Sequence, residues 1–163
     1  MSANFTLRPY ALADFDALYL LDRACYPPGI AYSKRMLRWY LALAGATCIV
    51  AETPDSAIAG FILADADPPD GYIITLDVAL GSRRLGLGSI LYTAIEQNLL
   101  ASGIRQIELE TATDNTAGVA FWTHHGYRSD GILRGYYLDR VDAFHMRKTL
   151  ATATEARVNA KEP

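Results

Sequence analysis

Apolar residues fall at every second position in some stretches of this chain and at every third or fourth in others, and these two periods mark out its elements. Phe5-Thr6-Leu7-Arg8 alternates like an edge strand that Pro9 stops. Leu12, Phe15, Leu18, Tyr19 and Asp22 follow helical spacing, with the four apolar residues on one face. Pro27-Pro28-Gly29 demands a loop, and Ser33 is placed to cap a second helix carrying Met36, Leu37, Tyr40 and Leu41. Strand signals then cover residues 47–52 and 58–64, with Pro54-Asp55 turning between them. Pro68-Pro69-Asp70-Gly71 turns the chain again into residues 72–80, where Ile74, Leu76 and Val78 share one face and Thr75 and Asp77 the other.

A glycine- and arginine-bearing loop over residues 81–87 follows. Ile90, Leu91, Ala94, Ile95 and Leu99 then make a helical stripe that Gly103 ends. Residues 104–110 read as a strand, and Asp114 or Asn115 caps a short helix closed by Gly126. Two more strands, over residues 127–133 and 142–148, flank a tyrosine-containing loop. The order is strand, two helices, three strands, helix, strand, helix, two strands. It predicts a mixed α/β domain over residues 1–150 with a central, mostly antiparallel sheet, and a small polar tail over residues 151–163.

Composition narrows the function classes. A chain of 163 residues, half apolar and one-fifth charged, suits one globular domain. A net charge of −3 gives no electrostatic footprint for nucleic acid. No apolar stretch has the length of a signal peptide or a membrane span, and Cys25 and Cys48 fit no metal or redox spacing. Cys48, in an apolar run, reads as buried packing. A cytoplasmic protein without a metal, acting as monomer or homodimer, is the expectation.

The most informative stretch is residues 76–89, where a strand feeds a tight loop that opens a helix. A helix start leaves backbone N–H groups unpaired and carries the positive end of the dipole, so it suits an anion. Gly86 and Gly88 keep side chains out of a phosphate's path, and Arg83 and Arg84 add positive charge. Gly81 and Gly86 have the separation of a nucleotide-triphosphate loop, but Leu87 stands where its lysine belongs. Gly86-Leu87-Gly88 begins a dinucleotide fingerprint, but Leu91 stands in place of the third glycine.

The remaining pattern, Arg83-x-x-Gly86-x-Gly88, resembles the coenzyme A pyrophosphate loop of the GNAT superfamily of N-acetyltransferases. Residues 109–117, Phe121-Trp122 and Gly126-Tyr127 resemble the second half of that family. Gly135-Tyr136-Tyr137 and Asp142-Ala143 resemble its N-terminal-amine branch, which includes the ribosomal-protein alanine acetyltransferases. The resemblance implies a GNAT fold of about seven strands flanked by about four helices. It implies acetyl-coenzyme A as cosubstrate, with the backbone at Leu76, Asp77 and Val78 pairing with the pantetheine arm and the Val78 amide meeting the thioester carbonyl. Arg83, Arg84, Leu85, Gly86, Leu87, Gly88 and Ser89 would hold the pyrophosphate. Asn115 would bond the arm from the other side or simply cap its helix, and Trp122 joins the cofactor-binding set.

Acetyl transfer to an amine needs a base, because an alkyl ammonium with a pKa near ~10 must shed a proton before attack. Glu110 holds the position that serves as base in the resembling branch, with the alternative of a solvated strand glutamate such as Glu108. Trp122 stands where that branch usually has a tyrosine acid, and an indole N–H delivers no proton. Tyr136 and Tyr137 are the available hydroxyls. His145 reads as a lone residue on a terminal strand, and Asp77 as a second, weaker carboxylate near the reaction centre. The acceptor expected is a peptide N-terminus or a small-molecule amine. An acyl-coenzyme A-binding sensor or interaction module with little catalysis is the alternative.

Overall fold

The computed structural model describes residues 4–151. All of the polar tail beyond residue 151 lies outside the described residues. Seven strands, β1 (Thr6–Pro9), β2 (Ala46–Glu52), β3 (Ile58–Asp67), β4 (Asp70–Val78), β5 (Gln106–Ala112), β6 (Arg128–Tyr137) and β7 (Val141–Thr149), form one sheet in the order β1-β2-β3-β4-β5-β7-β6. Four helices accompany them: α1 (Phe15–Cys25), α2 (Lys34–Leu41), α3 (Leu87–Ala101) and α4 (Thr116–His124). The pairs β1–β2, β2–β3, β5–β7 and β6–β7 run antiparallel, and β4–β5 is parallel. The expected mixed, mostly antiparallel sheet is therefore present.

The chain divides into two compact units. The first holds the described residues up to Asp65 together with Ile73–Asn98. Its core is built from Leu18, Leu37, Val50, Phe61, Ile62, Leu63, Leu87, Leu91 and Ile95, all at most 1% exposed. The buried row of α1 is Asp14, Leu18 and Asp22, so two acids lie inward and Leu12 stands 88% exposed in a short 3-10 turn before the helix. The reason is Arg8, which pairs with Asp14 at 2.7 Å and with Glu52 at 2.6 Å and draws that first turn inward by charge. Arg8 holds the Asp14 carboxyl below the usual carboxylate range. On α3 the inward stripe is Leu87, Leu91, Tyr92, Ile95 and Leu99, while Ile90, expected inside, is exposed. The helix begins at Leu87, four residues before Leu91, and this offset sets the stripe.

The second unit holds Ala66–Tyr72 and the described residues from Leu99 onward. Ile107, Leu109 and Thr111 of β5 turn inward while Gln106, Glu108 and Glu110 take the other face. Their β7 partners follow suit: Leu109 stands opposite Met146, Glu108 opposite Arg147, and Glu110 opposite His145. Tyr136 and Tyr137, expected in a loop, form the end of β6. The β6–β7 connection is tighter than expected, three residues long, with Arg140 N–H donating to the Tyr137 carbonyl at 3.1 Å.

That turn places Leu138 (φ 56°) and Asp139 (φ 54°) in the left-handed region. Such a hairpin turn favours Asn-Gly, and leucine there costs roughly 1–2 kcal/mol. Replacing Leu138-Asp139 by Asn-Gly is expected to raise stability by about 1 kcal/mol. Chemical denaturation with an unchanged slope checks this, and a lower midpoint would contradict the strain.

Candidate active site

Both units carry residues that the sequence singles out. In the first, β4 leads through a short 3-10 turn at Leu80–Ser82 into the loop ahead of α3. Arg83, Arg84, Leu85 and Gly86 are exposed, Leu87 is buried, and Gly88 and Ser89 are half-buried at the helix start. Arg84 (φ 62°) and Gly86 (φ 79°) both adopt left-handed backbone. A Cβ at Gly86 would meet nothing within 4 Å. Glycine is thus favoured at 86 by backbone conformation, and the space beside it is open. The loop is also tied to its strand, because Arg83 Nε donates to the Val78 carbonyl at 3.0 Å.

Strand β4 has further partners in this unit. The Tyr26 hydroxyl donates to the Leu76 carbonyl at 3.1 Å and the Tyr32 hydroxyl to the Ile74 carbonyl at 3.2 Å. Cys25 Sγ lies 3.5 Å from the Val78 carbonyl. Cysteines 25 and 48 are both half-buried free thiols, and burial pushes Cys48 up to about 12, which makes it inert at neutral pH.

Asp77 takes a role that the sequence did not suggest. Its side chain is fully buried, as is that of Asp22 on α1. Asp77 Oδ1 accepts from the Thr75 hydroxyl at 2.7 Å, and Asp22 Oδ2 accepts from the Tyr32 N–H at 2.6 Å. The remaining oxygen of each carboxyl has no other donor. Burial raises both groups, and the charge of Asp22 adds to the rise at Asp77, which stands well above the ordinary carboxylate value. One shared proton satisfies both orphaned oxygens, so the pair carries a single negative charge. The expectation that Asp77 serves as a second carboxylate at the reaction centre is corrected: it is sealed from solvent and committed to Asp22.

In the second unit the candidate base has company. Tyr72, at the start of β4, donates its hydroxyl to Glu110 Oε2, and the Tyr136 hydroxyl lies 3.5 Å from the same oxygen. Burial and the adjacent carboxylate raise Tyr72, so the phenol keeps its proton. Burial likewise raises Tyr137, whose ring meets that of Tyr136 edge-on at 4.8 Å. Asp142 holds the segment before these tyrosines, accepting from the Gly135 N–H at 2.9 Å and from Arg134 at 2.6 Å. Glu110, Tyr136 and Tyr137 are therefore brought together.

Tyr72 was missed. The parallel register that sets it opposite Glu108, on the face shared with Glu110, is a tertiary fact with no local signal.

Two residues take structural positions within this unit. The Asn115 side chain accepts from the Gly118 N–H at 3.0 Å and caps α4. Trp122 is 8% exposed and packs edge-on against Phe121 and Tyr127, with centroids at 4.9 and 5.3 Å. His145 is corrected from a lone residue to the centre of a charged cluster with Asp130, Glu108 and Arg147. Among the described residues no group of side chains is arranged to hold a metal ion, and no helix is long and apolar enough to cross a membrane.

Comparison with known proteins shows the family and the fold. An uncharacterized N-acetyltransferase of Methanocaldococcus jannaschii is 28% identical over 158 residues, covering 96% of this chain and 95% of that protein. The catalytic subunit of the Arabidopsis thaliana N-terminal acetyltransferase A complex is 28% identical over 153 residues, covering 88% and 77%. The Escherichia coli ribosomal-protein-S18-alanine N-acetyltransferase superposes with a TM-score of 0.82 at 20% identity, over 92% of this chain and 96% of that one. The model of the acetyltransferase (GNAT) family matches residues 15–127. With its mixed seven-stranded sheet and its glycine-arginine loop at the head of α3, the chain belongs to the GNAT acetyltransferase family.

Proposed function

We propose that this protein transfers the acetyl group of acetyl-coenzyme A to a primary amine, either the N-terminus of a peptide or a small-molecule amine. The observation that carries this reading is a carboxylate, Glu110, held by two tyrosine hydroxyls. Donors at one oxygen orient the group and leave the other to take a proton. Glu110 takes a proton from the acceptor ammonium. The freed amine nitrogen then forms a bond to the thioester carbonyl carbon as the carbon–sulfur bond breaks, and the second proton that this nitrogen sheds on becoming an amide passes to the departing sulfur. The thiolate leaves with a conjugate pKa near ~8.5 and needs only modest help. Tyr72, Tyr136 and Tyr137 supply the nearby O–H groups, since Trp122 supplies none.

The open loop at Arg83–Ser89 fits the cosubstrate's diphosphate through backbone amides at the α3 start and two exposed arginines. Leu76, Asp77 and Val78 would meet the arm through their backbone, with the Val78 amide toward the thioester. Asn115, which caps α4, and Trp122, which packs within it, complete the cofactor-binding set.

Acetyl-coenzyme A at a hundred times its Kd is expected to stabilise the protein by about 2.7 kcal/mol in a thermal-shift assay. Thiol release against a panel of peptides and small amines then identifies the acceptor. Stabilisation without thiol release for any acceptor would favour an acyl-coenzyme A sensor. Gly86→Val should remove the stabilisation, because a branched residue does not hold φ near 79° and the amides turn away. Wild-type affinity in that variant would contradict the loop assignment.

A further inference from the structure

On one face of the second unit, β5 carries Glu108 and Glu110, β7 carries His145 and Arg147, and the register sets Glu110 opposite His145 and Glu108 opposite Arg147. Directly opposed residues on neighbouring antiparallel strands have Cβ atoms roughly 5 Å apart. His145 is anchored from two sides. Its Nδ1 bonds Asp130, and its Nε2 lies 3.5 Å from Glu108 Oε2.

Asp130 reaches it by a local irregularity of β6. Ser129 pairs with Met146 and Gly131 with His145, neighbouring residues on β7, so Asp130 is the extra residue of a β-bulge. A bulge re-aims a side chain that regular pleating would point elsewhere. The β6 residue facing His145 in the register is Gly131, which carries no side chain, so Asp130 is the residue through which that strand reaches the imidazole. Arg147, on the histidine's own strand, is taken up by Glu108 at 2.9 Å and Asp130 at 3.4 Å.

The charged groups around His145 are thus Glu108 and Glu110 from β5, Asp130 from β6 and Arg147 from β7. Three carboxylates against one guanidinium leave a place for one more cation. These partners, Asp130 foremost, raise His145 above the ordinary histidine value.

We propose that His145 is a positioning residue for Glu110, a cation set across the strand pair by the Asp130 bulge that keeps the base ionised and ready between turnovers. The inference rests on Glu110 being the base. A carboxylate facing an imidazolium holds less tightly the proton it has taken from the acceptor, and passes it on to solvent before the next acceptor binds. The sensitivity runs with pH. The cation is present while His145 holds its proton and is lost as pH rises through its raised value.

His145→Asn, with His145→Gln measured in parallel, tests this through kcat against pH at saturating acceptor. The acid limb, which reports the base losing its proton in the complex, should move upward by roughly 0.5–1 pH unit in both variants. His145→Arg, which keeps the charge, should return the limb to its wild-type position. A second readout does not depend on turnover. Because the coupling is reciprocal, the NMR titration midpoint of His145 should fall in Glu110→Gln by a similar amount. An unmoved acid limb and an unmoved His145 midpoint, with Glu110→Gln inactive, would overturn the role of His145 while leaving the base in place. Undiminished turnover in Glu110→Gln would instead remove the base itself and the inference with it.

Discussion

Glu110→Gln is expected to lower kcat by about 10²–10⁴-fold while leaving the acetyl-coenzyme A thermal shift intact. The amide preserves the size of the group and still accepts from the Tyr72 hydroxyl, so the strand pair should be undisturbed. It takes no proton from an ammonium, which leaves the acceptor unreactive at neutral pH. Tyr72→Phe separates orientation from proton transfer. Losing one donor to Oε2 should reduce kcat by a smaller factor, on the order of ten, and leave the acceptor KM nearly unchanged. If Glu110→Gln turned over at the wild-type rate, the carboxylate would be an ordinary strand glutamate after all. A thermal shift lost together with turnover would mean that the variant had damaged binding rather than chemistry.

A second large effect concerns stability. Unfolding exposes Asp22 and Asp77 to water, where each ionises near ~3.9. In the folded protein both are raised and the pair retains a proton. The folded state therefore binds more protons than the unfolded one above that value. Stability must fall as pH rises, until the pair loses its last proton in the folded state as well. One proton corresponds to about 1.4 kcal/mol per pH unit across that window.

Asp77→Asn mimics the protonated partner. Its amide donates to Asp22, and its oxygen still accepts from Thr75. The variant should match the wild type near pH 4 and exceed it increasingly as pH rises above that. His145 contributes a fall of the same sign as pH rises through its raised value, but that part is common to both proteins. Denaturant unfolding at a series of pH values measures the difference, and parallel curves for the two proteins would rule out a retained proton.

The pair also bears on the C-terminal half of β4. Asp22 holds the Tyr32 N–H, and the Tyr26 and Tyr32 hydroxyls hold the Leu76 and Ile74 carbonyls. The loop between α1 and α2 is thereby stitched to the strand whose backbone is expected to meet the pantetheine arm.

Local signals were enough for what depends on near neighbours in the chain. Period-two and helical spacing marked every strand and helix, because burial of one face imposes that period wherever the element ends up. Ser33 and Asn115 read correctly as helix caps, since a cap bonds an N–H only three residues away. The turn at Gly86 leading into α3 was legible because the turn, the glycine and the helix start are contiguous. Glu110, Tyr136 and Tyr137 were singled out through resemblance, and the fold brings the Tyr136 hydroxyl within 3.5 Å of Glu110.

Tertiary structure alone decided which distant side chains meet. Tyr72 reaches Glu110 across 38 positions of sequence because β4 and β5 pair in parallel at that point. Asp77 became half of an acid pair because α1 presents Asp22 to it, and His145 became a cation among carboxylates because a bulge in β6 turns Asp130 toward it. Sequence patterning records whether a residue is buried or exposed. It does not record strand register or the partner that a buried charge must find, and for a carboxylate or an imidazole the partner sets the chemistry.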